Sequence, residues 1–218
     1  MLKDILFSTA AIRCLLPKAL VRHYSLPIAL LADLSLPEYT LTFPLRKVPV
    51  LFSLHQQHLS EVAAILFYLN SLASNRDNLV PADTTANSYF QVIRWLSFFT
   101  SEYVPALALC FKQLDGRLPY NRPQYDDSLS KIAVMSLMLE HHLLLHNGFL
   151  VEPNHITMAD LFGASCALRG FNFFFDAAWR KDHPITTSWF LNVTSSPILK
   201  DDFAAFQFIN KAHELAPQ

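Results

Sequence analysis

The chain has 218 residues, 52% of them hydrophobic, with 17 basic against 18 acidic side chains and a formal net charge of -1. That much apolar material can bury a core and excludes global disorder, while the near-neutral balance argues against nucleic acid or an anionic membrane as the main partner. Only four glycines are present and no G-x-G-x-x-G or G-x-x-x-x-G-K segment occurs, which disfavours glycine-loop nucleotide folds.

In chain order, residues 4–8 and 27–32 are short apolar runs of strand length, with a helical stretch around 11–23 between them. Residues 47–54 read as a third strand with Pro49 inside it, and a proline there cannot donate to a ladder. Ser60-Glu61 opens a helix whose Val62, Ile65, Leu66 and Leu69 share one face. Strand, helix, strand, strand, helix is the order of a small α/β module. Residues 70–83 are polar and read as a linker.

From residue 83 the strand signals stop. Residues 83–112 carry helical periodicity through Val92, Trp95, Leu96, Phe99 and Tyr103, with Pro105 as a break. A loop over 116–123 precedes a second long helix at 124–147, and Gly148 suits its stop. Thr157 with Asp160 three residues on is a capping-box signal, flanked by Ile156 and Leu161 as a hydrophobic staple. That helix runs toward 175, a turn occupies 179–184, and a last amphipathic helix spans 185–194.

Lys47-Val48-Pro49-Val50, Leu59-Ser60-Glu61-Val62-Ala63-Ala64-Ile65 and Ile156-Thr157-Met158-Ala159-Asp160-Leu161 together resemble the glutathione transferase fold. Phe43-Pro44-Leu45-Arg46, Ile93-Arg94-Trp95, Pro119-Tyr120-Asn121, Trp179-Arg180-Lys181-Asp182-His183-Pro184 and Ser196-Pro197-Ile198-Leu199 are similar to the glutathione-transferase-like domain of elongation factor 1B gamma subunits of the fungal type. The resemblance implies an α/β plus all-α architecture: a thioredoxin-like N-terminal domain over residues 1–76 holding a glutathione site, then an all-helical C-terminal domain over 83–218 with an electrophile pocket and dimer contacts. In that family the gamma subunit continues into a further domain, which this sequence does not include.

The same resemblance implies residue roles. Val48, before a proline that is cis in the family, presents a strand edge to the extended tripeptide. Glu61 takes the γ-glutamyl amino group while the N–H groups of the helix start hold its α-carboxylate; a first-turn acid favoured by the helix dipole is the plainer reading of the same residue. Where many transferases follow that acid with serine, this chain has Val62 and lacks the hydroxyl. Lys47 is placed for the glycyl carboxylate. Ser8, Thr9 and Arg13 are the candidates for stabilising the thiolate, since no tyrosine lies in that stretch. Cys14 reads as packing.

The dispersed Cys14, Cys110 and Cys166 suit reduced thiols in a cytoplasmic protein. No apolar run approaches the roughly 18 residues a membrane helix needs. The N-terminal cations Lys3, Arg13, Lys18 and Arg22 faintly resemble a presequence, but Pro17 interrupts it. Glu140, His141, His142 and His146 lack metal-site order, so no metal is expected. His55 and His58 read as solvated loop residues, the Phe171–Phe175 cluster with Trp179 as core, and Arg94, Trp95 and Phe98 as lying on a dimer-forming helix. Two functions follow from the resemblance: an interaction module of translation elongation, partnered by the nucleotide-exchange subunit of elongation factor 1B and by a second copy, with weak glutathione binding; or an active glutathione transferase conjugating small electrophiles.

Overall fold

The structure, a computed structural model, describes residues 3–54 and 58–214. β1 (Asp4–Phe7) lies at the centre of a three-stranded sheet of order β2-β1-β3. A single 3₁₀ turn (Ile12–Cys14) and α1 (Leu15–His23) carry the chain over to β2 (Ile28–Leu31), which pairs parallel with β1. After the short α2 (Pro37–Thr40), β3 (Val50–Phe52) returns antiparallel on the other side of β1. Side chains alternate across a strand: Leu6 enters the main core under α1, whereas Phe7 joins Tyr39, Phe43 and Val50 in a small cluster beneath α2. Beyond β3 a single antiparallel bridge joins Leu51 to Leu59. α3 (Val62–Leu72) then closes the α/β half.

The rest is helical. α4 (Asn87–Phe98) passes through a π turn (Phe99–Tyr103) into α5 (Val104–Leu114), and Pro105 explains the widening. The Val104 N–H bonds to the carbonyl of Phe99, five residues back. Thr100 thereby loses its α-helical partner, and its π partner would be Pro105, which has no N–H. α6 (Arg122–Leu145) starts with Asn121 capping the N–H of Gln124 and stops at Asn147 and Gly148, both with positive φ. α7 (Met158–Phe173) is apolar nearly all round and lies at the centre of the helical layer. Its Gly170 admits the Phe175 ring, which a Cβ would meet at 2.0 Å. α8 (Ala177–Asp182), α9 (Pro184–Thr194) and α10 (Lys200–Phe203) follow; the first occupies the expected turn and the last lies beyond the expected final helix.

Asp160 joins three of these pieces. Its fully buried carboxylate accepts the Thr157 N–H and hydroxyl at 2.9 and 2.7 Å, the Leu150 N–H at 2.9 Å and the Trp189 indole N–H at 3.0 Å. Burial pushes its carboxyl up from the ordinary range, and these donors pull it back. The tail is pinned similarly: Arg180 donates to the carbonyls of Phe175 and Ile209, and its guanidinium lies over the Phe208 ring. Cys14, Cys110 and Cys166 are free and buried, and burial raises all three thiols, Cys110 to about 11. Among the described residues no helix is long and apolar enough to cross a membrane.

Candidate functional site

A cavity of 640 Å³ opens between the sheet and the π turn, lined by Arg13, Lys47, Val48, Pro49, Glu61 and Val62 among others. The peptide bond between Val48 and Pro49 is cis. Val48 sits half-buried at the entrance to β3, with Lys47 exposed beside it. Glu61 holds φ 64° and ψ 121° at the N-terminus of α3, a region that non-glycine residues rarely enter and that gathers at ligand clamps. The first N–H groups of α3 have no partner within the helix, so they and the dipole favour an anion there. Val62 directs its side chain into the core at 3% exposure and brings no hydroxyl to the cavity.

Arg13 crosses from the α/β half to the helical half. Its Nη2 donates to the orphaned Thr100 carbonyl at 2.8 Å, while its buried Nε has no partner among the described residues. Ser8 and Thr9 do not line the cavity. Ser8 is buried after β1, with its N–H on the carbonyl of Leu31 at 2.8 Å. The Thr9 hydroxyl accepts the Ala11 N–H at 3.2 Å and its carbonyl accepts the Lys18 ammonium at 3.0 Å. Of the three thiolate candidates, only Arg13 reaches the cavity.

The cavity also takes Thr42, Phe43, Pro44, Leu45, Ser60, Thr100 and His58. His58 is an exposed loop residue, as expected, and it also reaches the cavity wall. Its ring stacks on Phe52 at 4.5 Å, and its Nδ1 accepts the Ser53 N–H at 3.1 Å. That bond assigns the proton to Nε2 in the neutral ring and leaves a donor to spare. His55 lies outside the described residues. No local signal marks Thr100, whose carbonyl is freed only by Pro105 downstream.

The other constellations are taken up by structure. Glu140 accepts the N–H groups of Ile185 and Thr186 at the start of α9, at 2.8 and 2.7 Å. His142 contacts the carbonyl of Leu150, and His146 stacks on it at 3.9 Å. Among the described residues no group of His, Cys, Asp and Glu could hold a metal ion. On the helix expected to form a dimer, Arg94 is exposed and Phe98 half-buried, while Trp95 is fully buried in the core of its own chain.

No family model matches the chain. It is 32% identical over 202 residues to a putative elongation factor 1 gamma homolog of Saccharomyces cerevisiae, spanning 90% of this chain and 89% of that one. The crystal structure of the glutathione-transferase-like domain of elongation factor 1-gamma from the same yeast superposes with a TM-score of 0.87 at 30% identity, covering 100% of both chains. The chain belongs to the elongation factor 1-gamma family of glutathione-transferase-like domains. It has the glutathione-transferase fold, an α/β thioredoxin-like part followed by helices. Elongation factor 1-gamma 1 of S. cerevisiae is 31% identical over 215 residues, and the chain spans 51% of its length. At 18% identity and a TM-score of 0.79, a glutathione transferase of Phanerochaete chrysosporium solved with oxidised glutathione shares the fold, and glutathione is a ligand of that protein.

Proposed function

We propose that this member of the family is a protein-interaction module of translation elongation that docks the nucleotide-exchange subunit of elongation factor 1B and retains a weak glutathione site. The observation that carries the reading is the end-to-end 30% match with the elongation factor domain, against 18% for the transferase solved with glutathione. Work in the translation machinery sets it in the cytoplasm. The glutathione site belongs to residues 1–76, with residues 83–218 supplying the electrophile pocket and dimer contacts.

In the cavity, Glu61 takes the γ-glutamyl ammonium and the α3 N-terminus its carboxylate. The Val48 backbone pairs with the cysteinyl residue, and Lys47 and His58 face the glycyl carboxylate. Without a hydroxyl at Val62 the γ-glutamyl carboxylate loses a hydrogen bond to a charged group, worth about 1.5–3 kcal/mol. The grip is weak for that reason. Titrating the chain with the exchange subunit by calorimetry should give saturable one-to-one heat, and no heat at high micromolar concentration overturns the docking reading. A parallel titration with reduced glutathione should give millimolar binding that Glu61→Ala abolishes.

The transferase reading draws on Arg13. A guanidinium at the cavity wall suits a thiolate, which must form from a thiol of ordinary pKa about 8.5. Turnover of a chlorinated nitroarene that Arg13→Ala reduces at least tenfold would put that reading first.

A further inference from the structure

A second cavity, of 580 Å³, shares no lining residue with the first. Its size is that of a small-molecule site, about 300–1,000 Å³. Separate stretches of chain build its wall: the end of α1 at His23, the linker at 77–79, the segment before α7 at Phe149 and 154–156, and the turn after α9 at 196–198. The hydroxyls at the end of α9 are treated unequally. Thr194 donates to the Phe190 carbonyl at 2.7 Å and Ser195 to that of Asn192 at 2.8 Å, the ordinary use of a hydroxyl at a helix end. Ser196 follows them onto the cavity wall at 8% exposure, and its buried Oγ has no partner among the described residues. A buried hydroxyl left unpaired is uncommon in native folds and calls for an explanation. Asp77 is half-used in the same way. Its Oδ2 accepts the Tyr24 phenol at 2.6 Å and lies 3.6 Å from His23 Nε2, while Oδ1 has no partner among the described residues. His155 Nε2 contacts the Asn78 carbonyl at 3.0 Å. A carbonyl only accepts, so that nitrogen carries the proton and Nδ1 is left as an acceptor.

We infer that this cavity binds a primary amine carried on an aliphatic stem. Charge decides the class of ligand. The wall holds the Asp77 carboxylate and neither lysine nor arginine, so an anion meets repulsion with nothing to offset it. His23, Asp77 and His155 do not form a group that could hold a metal ion. The unused groups are mostly acceptors: Asp77 Oδ1 and His155 Nδ1, with the Ser196 hydroxyl free to accept or donate. An ammonium brings three N–H donors and the positive charge that the carboxylate lacks. Phe149, Ile156, Leu161 and Ile198 line the same cavity and give the stem apolar cover. The amine is either a free small molecule or the side chain of a lysine on another polypeptide. This inference does not rest on the glutathione site or on the exchange subunit.

Calorimetric titration of the chain with n-hexylamine, beside n-hexanol and hexanoate, tests it. Hexylamine should saturate one site at millimolar concentration or below, and the alcohol and the carboxylate should bind about tenfold more weakly or worse. Asp77→Asn, which can still accept the Tyr24 phenol, should weaken hexylamine by about tenfold. Glu61→Ala removes the acid of the other cavity and should leave hexylamine binding unchanged. Ser196→Ala is the sharper probe. Its hydroxyl has no partner to lose, so the thermal midpoint stays at or above the wild-type value while hexylamine affinity falls about tenfold. N-acetyl-lysine amide separates the two sources: affinity equal to that of hexylamine assigns the site to a lysine of another polypeptide, and much weaker binding assigns it to a free amine. No heat with hexylamine, hexanol binding as tightly, loss of binding in Glu61→Ala, or an affinity indifferent to Asp77→Asn and Ser196→Ala overturns the proposal.

Discussion

Arg13 donates through Nη2 to the carbonyl of Thr100 at 2.8 Å, 87 residues along the chain, and so ties the α/β half to the helical half at the floor of the cavity. The carbonyl is available because Val104 bonds back to Phe99 and Pro105 has no N–H. Replacing the proline should undo this. In Pro105→Ala the new N–H competes for the Thr100 carbonyl and releases the guanidinium. Arg13→Ala, in turn, leaves that carbonyl without its side-chain partner and should cost about 1–2 kcal/mol. Urea midpoints check the second variant, and a crystal structure of the first shows whether the new N–H at position 105 has taken the Thr100 carbonyl in place of the guanidinium.

Val62→Ser should separate affinity from stability. The new hydroxyl can reach a carboxylate at the α3 N-terminus, so glutathione binds about tenfold more tightly or better. The lost core methyls make the protein less stable by about 1 kcal/mol. Calorimetry and denaturant titration read the two effects. An unchanged glutathione affinity would remove Val62 as the reason for a weak site.

Asp160→Asn places an amide nitrogen where donors already converge from Thr157, Leu150 and Trp189. At least one of them loses its acceptor in a buried setting, at a cost of about 3 kcal/mol. A lowered urea midpoint is the expected result, with the emission maximum of the tryptophans shifting in the same transition.

His142 should give stability an acid limb. Burial holds its imidazole below the ordinary range, and His146, Arg94 and His141 add to this, against the opposing contact with Leu150. In the unfolded chain it protonates near the usual value of about 6.5. Above that pH both states are neutral and its contribution is complete. As the pH falls below it the unfolded state takes up a proton that the folded state refuses, so stability drops until the depressed folded value is passed. His142→Gln, which can still donate to Leu150, should flatten the fall in thermal midpoint between pH 7 and pH 5.

What was legible in the sequence follows the range of the forces involved. The Thr157–Asp160 cap is a contact across three residues, and its spacing announces it. The Trp189 and Leu150 donors to the same carboxylate come from distant parts of the chain and leave no such mark. Pro49 and Glu61 stood out through family resemblance, and the structure gathers them with Arg13, Lys47, Val48 and Val62 around one cavity. Ser8 and Thr9 were equally plausible by position along the chain, but the turn after β1 directs them elsewhere. His58 was legible as an exposed loop residue, but its place at the cavity was not, because the stacking on Phe52 and the bond from the Ser53 N–H are tertiary contacts with the end of β3. On the second half of α6 apolar residues stand on both faces, so periodicity does not tell which face turns inward.

The burial of all three cysteines decides what the folded chain offers to thiol chemistry. Burial pushes the Cys14 thiol up and outweighs the Thr9 contacts and the nearby Lys18 charge, which pull it down. The folded chain therefore presents no cysteine to a disulfide or an alkylating reagent, and its three thiols become reactive only when it unfolds.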